Sequence, residues 1–206
     1  MGLYDQYVLP RLLNLLMGDK FITEERKKVL QRVNGAVLEV GFGSGRNLPW
    51  YPSAVQRLVA VDPSREGAKL ARKRIADAPF PVEYVPLGGE DVIAPEHSFD
   101  SIVCTFTLCS IADPLAALER MRRVLKPEGK LFLVEHGLAT DPAVQRWQNR
   151  LNRLQNAMCG GCNLNRDVRR MVTEAGFAFD EIDQYFIQGP PKFAAFVTRG
   201  IASTAA

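Results

Sequence analysis

The sequence has few cysteines, no long apolar run and little net charge. Only four of its 206 residues are cysteine, and a chain of this length builds its core without disulfide bonds. No apolar run reaches the roughly 18 residues that a membrane-spanning helix needs. Basic and acidic residues nearly balance, with a formal net charge of +3, which is too small to indicate nucleic acid as a partner.

What is present indicates a globular protein of one domain. The chain is 47% hydrophobic and 24% charged, proportions that exclude disordered, collagen-like and coiled-coil proteins. No internal repeat, long linker or charge block divides it, so we expect a single domain over residues 1–206. The apolar opening at 3–17 lacks the basic start and the cleavage site of a signal peptide. We therefore expect a reduced, cytoplasmic protein.

Short apolar runs alternate with amphipathic segments along the chain. The runs predict strands at 36–40, 57–62, 82–86, 98–105, 130–135, 181–187 and 193–198, and the segments predict helices at 65–78, 114–125, 142–158 and 166–175. Strands that alternate with helices predict a parallel sheet covered on both faces. The last two strands are separated by a Gly-Pro-Pro turn and are predicted to pair antiparallel. The predicted fold class is α/β, a doubly wound Rossmann-like sheet of about seven strands.

Three glycines at alternate positions, Gly41, Gly43 and Gly45, end the first predicted strand. Glycine lets the backbone turn tightly and approach a ligand closely, and ligands of doubly wound sheets bind at the carboxyl ends of the strands. A dinucleotide fingerprint would need glycine or alanine where this chain has Arg46. The spacing therefore argues against a dehydrogenase.

Two carboxylates lie at the same end of the predicted sheet. Glu39 precedes the first glycine, and Asp62 ends the second predicted strand. A negative charge facing the ligand suits a cation better than a pyrophosphate, and Asp62 is placed to accept hydrogen bonds from both hydroxyls of a ribose. S-adenosylmethionine carries a sulfonium and an ammonium group and no phosphate. The pattern therefore favours S-adenosylmethionine as the cofactor.

These residues resemble the motifs of a known family. The segment 37–45 resembles motif I of the class I S-adenosylmethionine-dependent methyltransferases, and Asp62 resembles their acidic second motif. The segment 98–103 resembles their fourth-strand signature, and 123–129 resembles the turn before strand five, with Glu128 where the family usually has glycine. The resemblance implies methyl transfer from S-adenosylmethionine.

Further segments resemble one subgroup, the methyltransferase-like seven group, which includes thiol S-methyltransferases. They are 89–91, 104–105, 108–110, 135–136 and 161–166. The resemblance extends from about residue 36 to 176 and implies a small apolar acceptor, with a thiol as the best single choice. It also implies N-terminal helices over 1–34, a cofactor-binding core over 35–136, acceptor helices over 137–176 and terminal strands over 177–206.

The resemblance also implies which residues bind the cofactor. We expect the glycine turn and Asp62 to hold it, the turn at 89–91 to line the adenine, and the backbone of Thr105 and Leu108 to hold the methionine portion. The full predicted set is Glu39, Gly41, Gly43, Gly45, Asn47, Asp62, Pro63, Gly89, Glu90, Asp91, Thr105 and Leu108.

His136 is the candidate catalytic residue. The methyl group of a sulfonium is already electrophilic, so the protein has to align the acceptor and exclude water. A free thiol has a pKa near 8.5, and a nearby base would help to generate its thiolate. His136 lies at the predicted carboxyl end of the fifth strand, whereas His97 falls in a predicted surface turn. A purely structural role for His136 stays open.

The four cysteines do not predict a metal or redox site. Cys159 and Cys162 form a C-x-x-C pair, but they follow a late helix instead of the first strand of a thioredoxin-like unit. Zinc would need two further ligands, such as Cys104 and Cys109, and that spacing is not a zinc pattern. We expect ordinary buried or loop cysteines and no metal.

The predicted helix at 142–158 carries one apolar stripe formed by Val144, Trp147, Leu151, Leu154 and Met158. Two interpretations stay open: the helix packs over the edge of the sheet, or it covers an apolar acceptor with Trp147 and Leu151 turned inward. Tyr4, Tyr7, Leu12 and Leu16 predict a second covering segment at the N-terminus.

Two other functions remain as alternatives. One is N- or O-methylation of a small metabolite or a phospholipid headgroup, helped by peripheral contact of the N-terminal helix with a membrane. The other is an RNA-binding module that uses the arginines between 146 and 170. Those arginines are interleaved with Asn and Gln instead of aromatic residues, so no base-stacking surface is indicated and we expect no nucleic-acid partner. The oligomeric state is not specified.

Overall fold

The computed structural model describes residues 8–205, except the side chains of Leu13 and Leu16. The predicted contributions of Tyr4, Tyr7 and the Leu16 side chain lie outside the described residues. Within 8–205, no helix is both long enough and apolar enough to cross a membrane.

Seven strands of the described part of the chain form one sheet. They are β1 (Gly35–Val40), β2 (Val55–Val61), β3 (Val82–Val85), β4 (Phe99–Thr105), β5 (Leu125–His136), β6 (Phe177–Phe186) and β7 (Phe196–Thr204). Their order is β3-β2-β1-β4-β5-β7-β6. Strands β1 to β5 are parallel, and β7 is antiparallel to both β5 and β6. The predicted doubly wound sheet with a terminal antiparallel pair is confirmed.

Strand order reverses between β1 and β4, so the loops that follow these two strands diverge to opposite sides of the sheet. This switch point is where open α/β sheets bind ligands. The glycine turn follows β1 and the segment at 106–109 follows β4. Both predicted halves of the cofactor site therefore meet at one place.

Within residues 8–205, six α-helices flank the sheet. They are α1 (Leu9–Leu16), α2 (Lys20–Leu30), α3 (Arg65–Ala76), α4 (Pro114–Val124), α5 (Pro142–Met158) and α6 (Val168–Glu174). Side-chain oxygens of Ser64, Asp113, Asp141 and Asp167 accept backbone N–H groups at the starts of α3 to α6. These caps satisfy donors that a helix leaves unpaired at its first turn.

Alternate residues of the central strands enter two separate cores, because successive side chains of a strand point to opposite faces. Leu38 and Ile102 belong to one core, and Val37 and Val103 belong to the other. Every residue of β1 is buried. The continuous apolar runs of the sequence therefore mark strands that are covered on both sides.

Three strand starts differ from the prediction by three residues or more. Strand β5 begins at Leu125 because this residue pairs with Phe99 across an irregular register. Strand β6 starts at Phe177, and β7 starts at Phe196 because residues 192–194 form a short 3-10 turn. Helix α5 spans the predicted residues.

The apolar stripe of α5 faces inward only in part: the predicted inward position of Trp147 is wrong, whereas Leu151 is half-buried. Val144 is 6% exposed and Trp147 is 56% exposed. Gln148 is fully buried instead: its side chain accepts from the Ala139 N–H at 2.9 Å and donates to the Gly137 carbonyl at 2.9 Å. One residue is about 100° of helical rotation, so turning Gln148 inward turns Trp147 towards solvent.

Candidate functional site

The glycine turn after β1 has the backbone geometry that the sequence predicts. Gly41, Gly43 and Gly45 have φ angles of 78°, 56° and 74°, in the left-handed region that glycine favours. A Cβ on Gly41 would collide with the side chain of Thr107. A Cβ on Gly43 would meet no atom within 4 Å. Open space therefore lies beside Gly43, where a ligand can approach the backbone.

Asp62 lies against this turn. Its Oδ2 accepts from the Gly43 N–H at 2.8 Å, and its Oδ1 accepts from the Ser64 N–H at 2.7 Å. Burial raises the pKa of Asp62, while these two hydrogen bonds lower it. Each carboxylate oxygen can accept a second hydrogen bond. Asp62 can thus fix the turn and still accept from two ribose hydroxyls. Pro63 follows Asp62 in the chain, and its predicted contact with the cofactor stays a prediction.

The turn at 89–91 lies beside the end of β1. Gly89 is buried, and a Cβ there would come within 2.7 Å of Val40 and 2.9 Å of Ile111. Glu90 is half-buried and Asp91 is exposed. The backbone therefore brings both carboxylates to the predicted edge of the sheet, and their contact with an adenine stays a prediction.

Leu108 lies behind the site. Its side chain is fully buried in a core cluster. Its N–H donates to Glu135, and its carbonyl oxygen accepts from Arg166 Nη1. Both backbone groups of Leu108 therefore have partners within the protein. This geometry does not favour the predicted contact between Leu108 and the cofactor, which stays a prediction.

Glu39, Asn47 and Thr105 come together in one buried charge cluster, which also contains Arg26 and Tyr51. Arg26 Nη1 donates to Asn47 Oδ1 at 2.9 Å and to Thr105 Oγ1 at 2.6 Å. Glu39 accepts from Asn47 Nδ2 at 2.9 Å and from the Tyr51 hydroxyl at 2.6 Å. The sequence analysis missed Arg26, which lies in a run of charged residues that is typical of a solvated helix face.

Arg26 makes this cluster suitable for the cofactor. Burial lowers the pKa of Arg26 to about 10, so the guanidinium remains charged at neutral pH. Its Nε is buried and, among the described residues, has no hydrogen-bond partner. An unpartnered buried N–H fits an anionic group such as the methionine carboxylate, and Glu39 fits the cationic end. These residues therefore fit S-adenosylmethionine.

Glu135, at the end of β5, holds the segment that follows β4. Its two oxygens accept from the Thr107 N–H at 2.8 and 2.9 Å, and the N–H groups of Leu108 and Cys109 also donate to it. Burial raises the pKa of Glu135 to about 7 against the opposing effect of these donors. This carboxylate therefore fixes the position of Cys109 relative to the next residue of β5, His136.

Cys109, His136 and Cys162 form a second cluster, here called the thiol–imidazole cluster. Cys162 Sγ lies 3.6 Å from Cys109 Sγ and 3.7 Å from His136 Nε2. Burial lowers the pKa of His136, but Cys162 and Glu135 raise it, and the net shift is upward. The sequence analysis identified His136 but not its two sulfur neighbours.

The four cysteines are therefore grouped differently from the zinc set that the sequence analysis considered. Cys104 Sγ lies in the core, 3.8 Å from the carbonyl oxygen of Val40. Cys159 is not among the three clustered side chains. The C-x-x-C pair is not a unit, because only Cys162 of that pair faces His136.

The buried charge cluster predicts a pH-dependent stability. Burial raises the pKa of Glu39 from 4.5 to about 7, although Tyr51, Arg26 and Asn47 lower it. Stabilisation from a raised carboxyl pKa is complete below pH 4.5 and is lost as pH rises through 7. Relative to Glu39→Gln, the wild type should lose up to about 3 kcal/mol of unfolding free energy between pH 4.5 and 8.

Urea unfolding of both proteins across that pH range measures this difference. Glu24→Gln removes an exposed carboxylate of α2 and serves as the control, which should stay within about 0.5 kcal/mol of the wild type. A difference between wild type and Glu39→Gln that does not change with pH would contradict the raised pKa.

Comparison with known proteins agrees with this geometry. Residues 38–133 match a family model described as a methyltransferase domain. The match includes the glycine turn, Asp62 and Thr105. Two structures share the fold: YcgJ from Bacillus subtilis, with a TM-score of 0.71 and 18% identity over 89% of this chain and 98% of that chain, and a putative methyltransferase from Bacillus halodurans, with a TM-score of 0.74 and 18% identity over 89% and 100%.

Curated relatives are more similar in sequence. Thiol S-methyltransferase TMT1B of Rattus norvegicus is 31% identical over 162 residues, which are 75% of this chain and 64% of that protein. Thiol S-methyltransferase TMT1A of Homo sapiens is 31% identical over 160 residues, with the same coverage of 75% and 64%. Phosphatidylethanolamine N-methyltransferase of Cereibacter sphaeroides is 29% identical over 138 residues, 61% of this chain and 68% of that protein.

The chain thus spans less than two thirds of the length of the thiol S-methyltransferases that it matches. The region matched by the family model nevertheless contains the glycine turn and Asp62, which the sequence analysis identified as family motifs. The chain belongs to the class I S-adenosylmethionine-dependent methyltransferases, whose cofactor is S-adenosylmethionine.

Proposed function

We propose that this protein transfers a methyl group from S-adenosylmethionine to the sulfur of a small apolar thiol. The observation that carries the proposal is the pair at the end of β5, Glu135 and His136. The imidazole of His136 is buried beside a carboxylate whose oxygens already accept hydrogen bonds from the protein backbone. Glu135 accepts several backbone N–H groups and is not available to bind an ammonium group. His136 has no such backbone partner among the described residues and suits a weakly acidic acceptor.

The protein's part in the reaction is to bind, orient and exclude water. We propose that Asp62 accepts from the ribose hydroxyls, that the turn at Gly43 lies along the cofactor, and that Arg26 donates to the methionine carboxylate. When bound, S-adenosylmethionine supplies an electrophilic methyl group on its sulfonium. We propose that His136 helps to generate the acceptor thiolate, since a free thiol is mostly protonated at neutral pH.

Helices α1 and α5 support an apolar acceptor through exposed apolar side chains, and not through the inward-facing stripe that the sequence predicts. Leu12 and Leu15 of α1 and Trp147 and Leu154 of α5 are exposed. A Cβ on Gly160, just after α5, would come within 2.8 Å of Leu9 of α1, so the C-terminal end of α5 lies beside α1. We propose that apolar acceptors enter along this exposed apolar surface.

Methylation of a phospholipid headgroup is the second candidate, and one observation favours it. A cavity of about 420 Å³ borders Arg26 and is lined by Lys20, Lys27, Arg46 and Arg74, with Glu24 as its acidic residue. These cations suit a phosphate, and the exposed residues of α1 suit peripheral contact with a membrane. The thiol proposal is preferred because the more similar relatives carry that name.

The remaining expectations from the sequence are retained as proposals. All four cysteines are free thiols, which supports a reduced, cytoplasmic setting. Arg166 and Arg170 of the arginine-rich region donate to protein acceptors, Ile111 at 2.7 Å and Glu174 at 2.7 Å. These bonds support the absence of a nucleic-acid partner.

An acceptor panel tests the proposed function. The full chain is incubated with S-adenosylmethionine and with alkyl thiols, aryl thiols, matched amines and alcohols, or phosphatidylethanolamine vesicles. Release of S-adenosylhomocysteine should be fastest with the thiols, because an apolar site strips water from a thiol more easily than from a charged amine. Turnover of the vesicles or amines without turnover of any thiol would contradict the thiol assignment and leave the family assignment intact.

Asp62→Ala tests the cofactor contacts. Calorimetry should show that S-adenosylhomocysteine binding weakens by about 1.5–3 kcal/mol, because hydrogen bonds to a charged acceptor are lost. The exposed Asp77→Ala is the control and should bind as the wild type does. Unchanged affinity in Asp62→Ala, or tight binding of NAD by the wild type, would contradict the assignment.

His136→Ala tests the thiolate step. Turnover of a thiol should fall by about 100-fold or more at neutral pH, and the loss should shrink as pH passes about 8.5, where the free thiol ionises without help. The other histidine, in His97→Ala, is the matched control and should keep near wild-type turnover. A lower melting temperature with unchanged turnover per folded molecule would show that His136 is structural.

A further inference from the structure

Three side chains that can bind a metal ion converge at the carboxyl edge of β5. They are Cys109 from the segment after β4, His136 from the end of β5 and Cys162 from the loop after α5, and all three ligand atoms lie within 4.8 Å of one another. Thiolate and imidazole are the ligands that zinc prefers in proteins. We infer that Cys109, His136 and Cys162 bind one zinc ion.

Two of the ligand distances are close to those of a tetrahedral zinc site. Bonds of about 2.3 Å to sulfur and about 2.0–2.1 Å to nitrogen place two sulfur ligands about 3.8 Å apart, and a sulfur and a nitrogen about 3.6 Å apart. The Cys109–Cys162 sulfurs are 3.6 Å apart, and Cys162 Sγ is 3.7 Å from His136 Nε2. Because Cys162 Sγ also lies 3.9 Å from His136 Nδ1, the imidazole ring has to rotate to turn one of its nitrogens towards the ion.

Hydrogen bonds hold the three ligands together without a metal. The backbone N–H of Asn163 donates to the Cys109 carbonyl at 2.9 Å, and the Asn163 side chain donates to the same oxygen at 3.1 Å. Glu135 fixes Cys109 from the other side. His136 is held by its pairing with Val197 in the sheet. A site that is preorganised in this way loses little entropy when an ion binds.

Three protein ligands leave one coordination position open, as in catalytic zinc sites. Resting on the proposed function, we assign this position to the sulfur of the acceptor thiol, which zinc would hold as a thiolate after its proton leaves to solvent. His136 then acts as a ligand in the thiolate step. The metal site itself stands on the three side chains and does not depend on the acceptor.

Cobalt titration tests the metal site independently of activity. The full chain is reduced, treated with a chelator, desalted and titrated with Co(II), then with Zn(II). We expect one equivalent of Co(II) to give intense sulfur-to-cobalt charge-transfer absorption, which Zn(II) abolishes by displacement. Cys109→Ser and Cys162→Ser should each weaken Co(II) binding by at least about 10- to 100-fold. Mutation of residues that only orient a metal ligand already lowers affinity by about that factor, and loss of a ligand should cost no less. Cys159→Ser is the matched control and should titrate as the wild type does.

Several results would overturn the inference. They are absence of stoichiometric Co(II) binding, binding without charge-transfer absorption, an equal loss in Cys159→Ser, or a Cys109–Cys162 disulfide found by mass spectrometry in protein isolated under reducing conditions. Circular dichroism melting in chelator identifies any variant that fails to fold, and His136→Gln then replaces it as the test. Thiol turnover by chelated protein would overturn the assignment of the fourth position, whereas metal binding without thiol turnover would overturn only the proposed function.

Discussion

The burial of Arg26 is the constraint on which the rest of the site depends. A guanidinium removed from water is tolerated only if charge and hydrogen bonds compensate for it. Asn47 and Thr105 accept from it, and Glu39 and Glu135 interact with it electrostatically. Helix α2 is thereby attached to the carboxyl ends of the strands, beside the glycine turn. Loss of Arg26 alone would leave the buried carboxylate of Glu39 without its basic partner.

The carboxylates of Glu39 and Glu135 have different partners, and each carboxylate organises a different part of the site. Glu39 accepts from side chains, those of Asn47 and Tyr51. Glu135 accepts from successive backbone N–H groups after β4. The first arrangement forms the cofactor side, and the second arrangement places Cys109 next to His136. A zinc ion at that point would therefore lie at the end of β5 and not within the cofactor-binding turn.

Helix α5 shows how a buried polar group can override an apolar pattern. The spacing of its apolar residues predicts an inward stripe, yet the backbone of the loop before it needs partners. Gln148 supplies them to Ala139 and Gly137, since each buried backbone group left without a partner would cost about 1–3 kcal/mol. Trp147 is consequently exposed, and the apolar surface that we propose for acceptor entry is the result.

The sequence by itself determined the strand and helix order, the glycine turn and Asp62, because periodicity and turn chemistry are properties of short segments. It also identified His136 as the imidazole at the end of the fifth strand. Only the tertiary structure decided the partners of these groups. Arg26 and Thr105 are 79 positions apart, and Cys109 and Cys162 are 53 positions apart. Contacts at such separations depend on how the strands are ordered and how each helix is rotated, which no local pattern specifies.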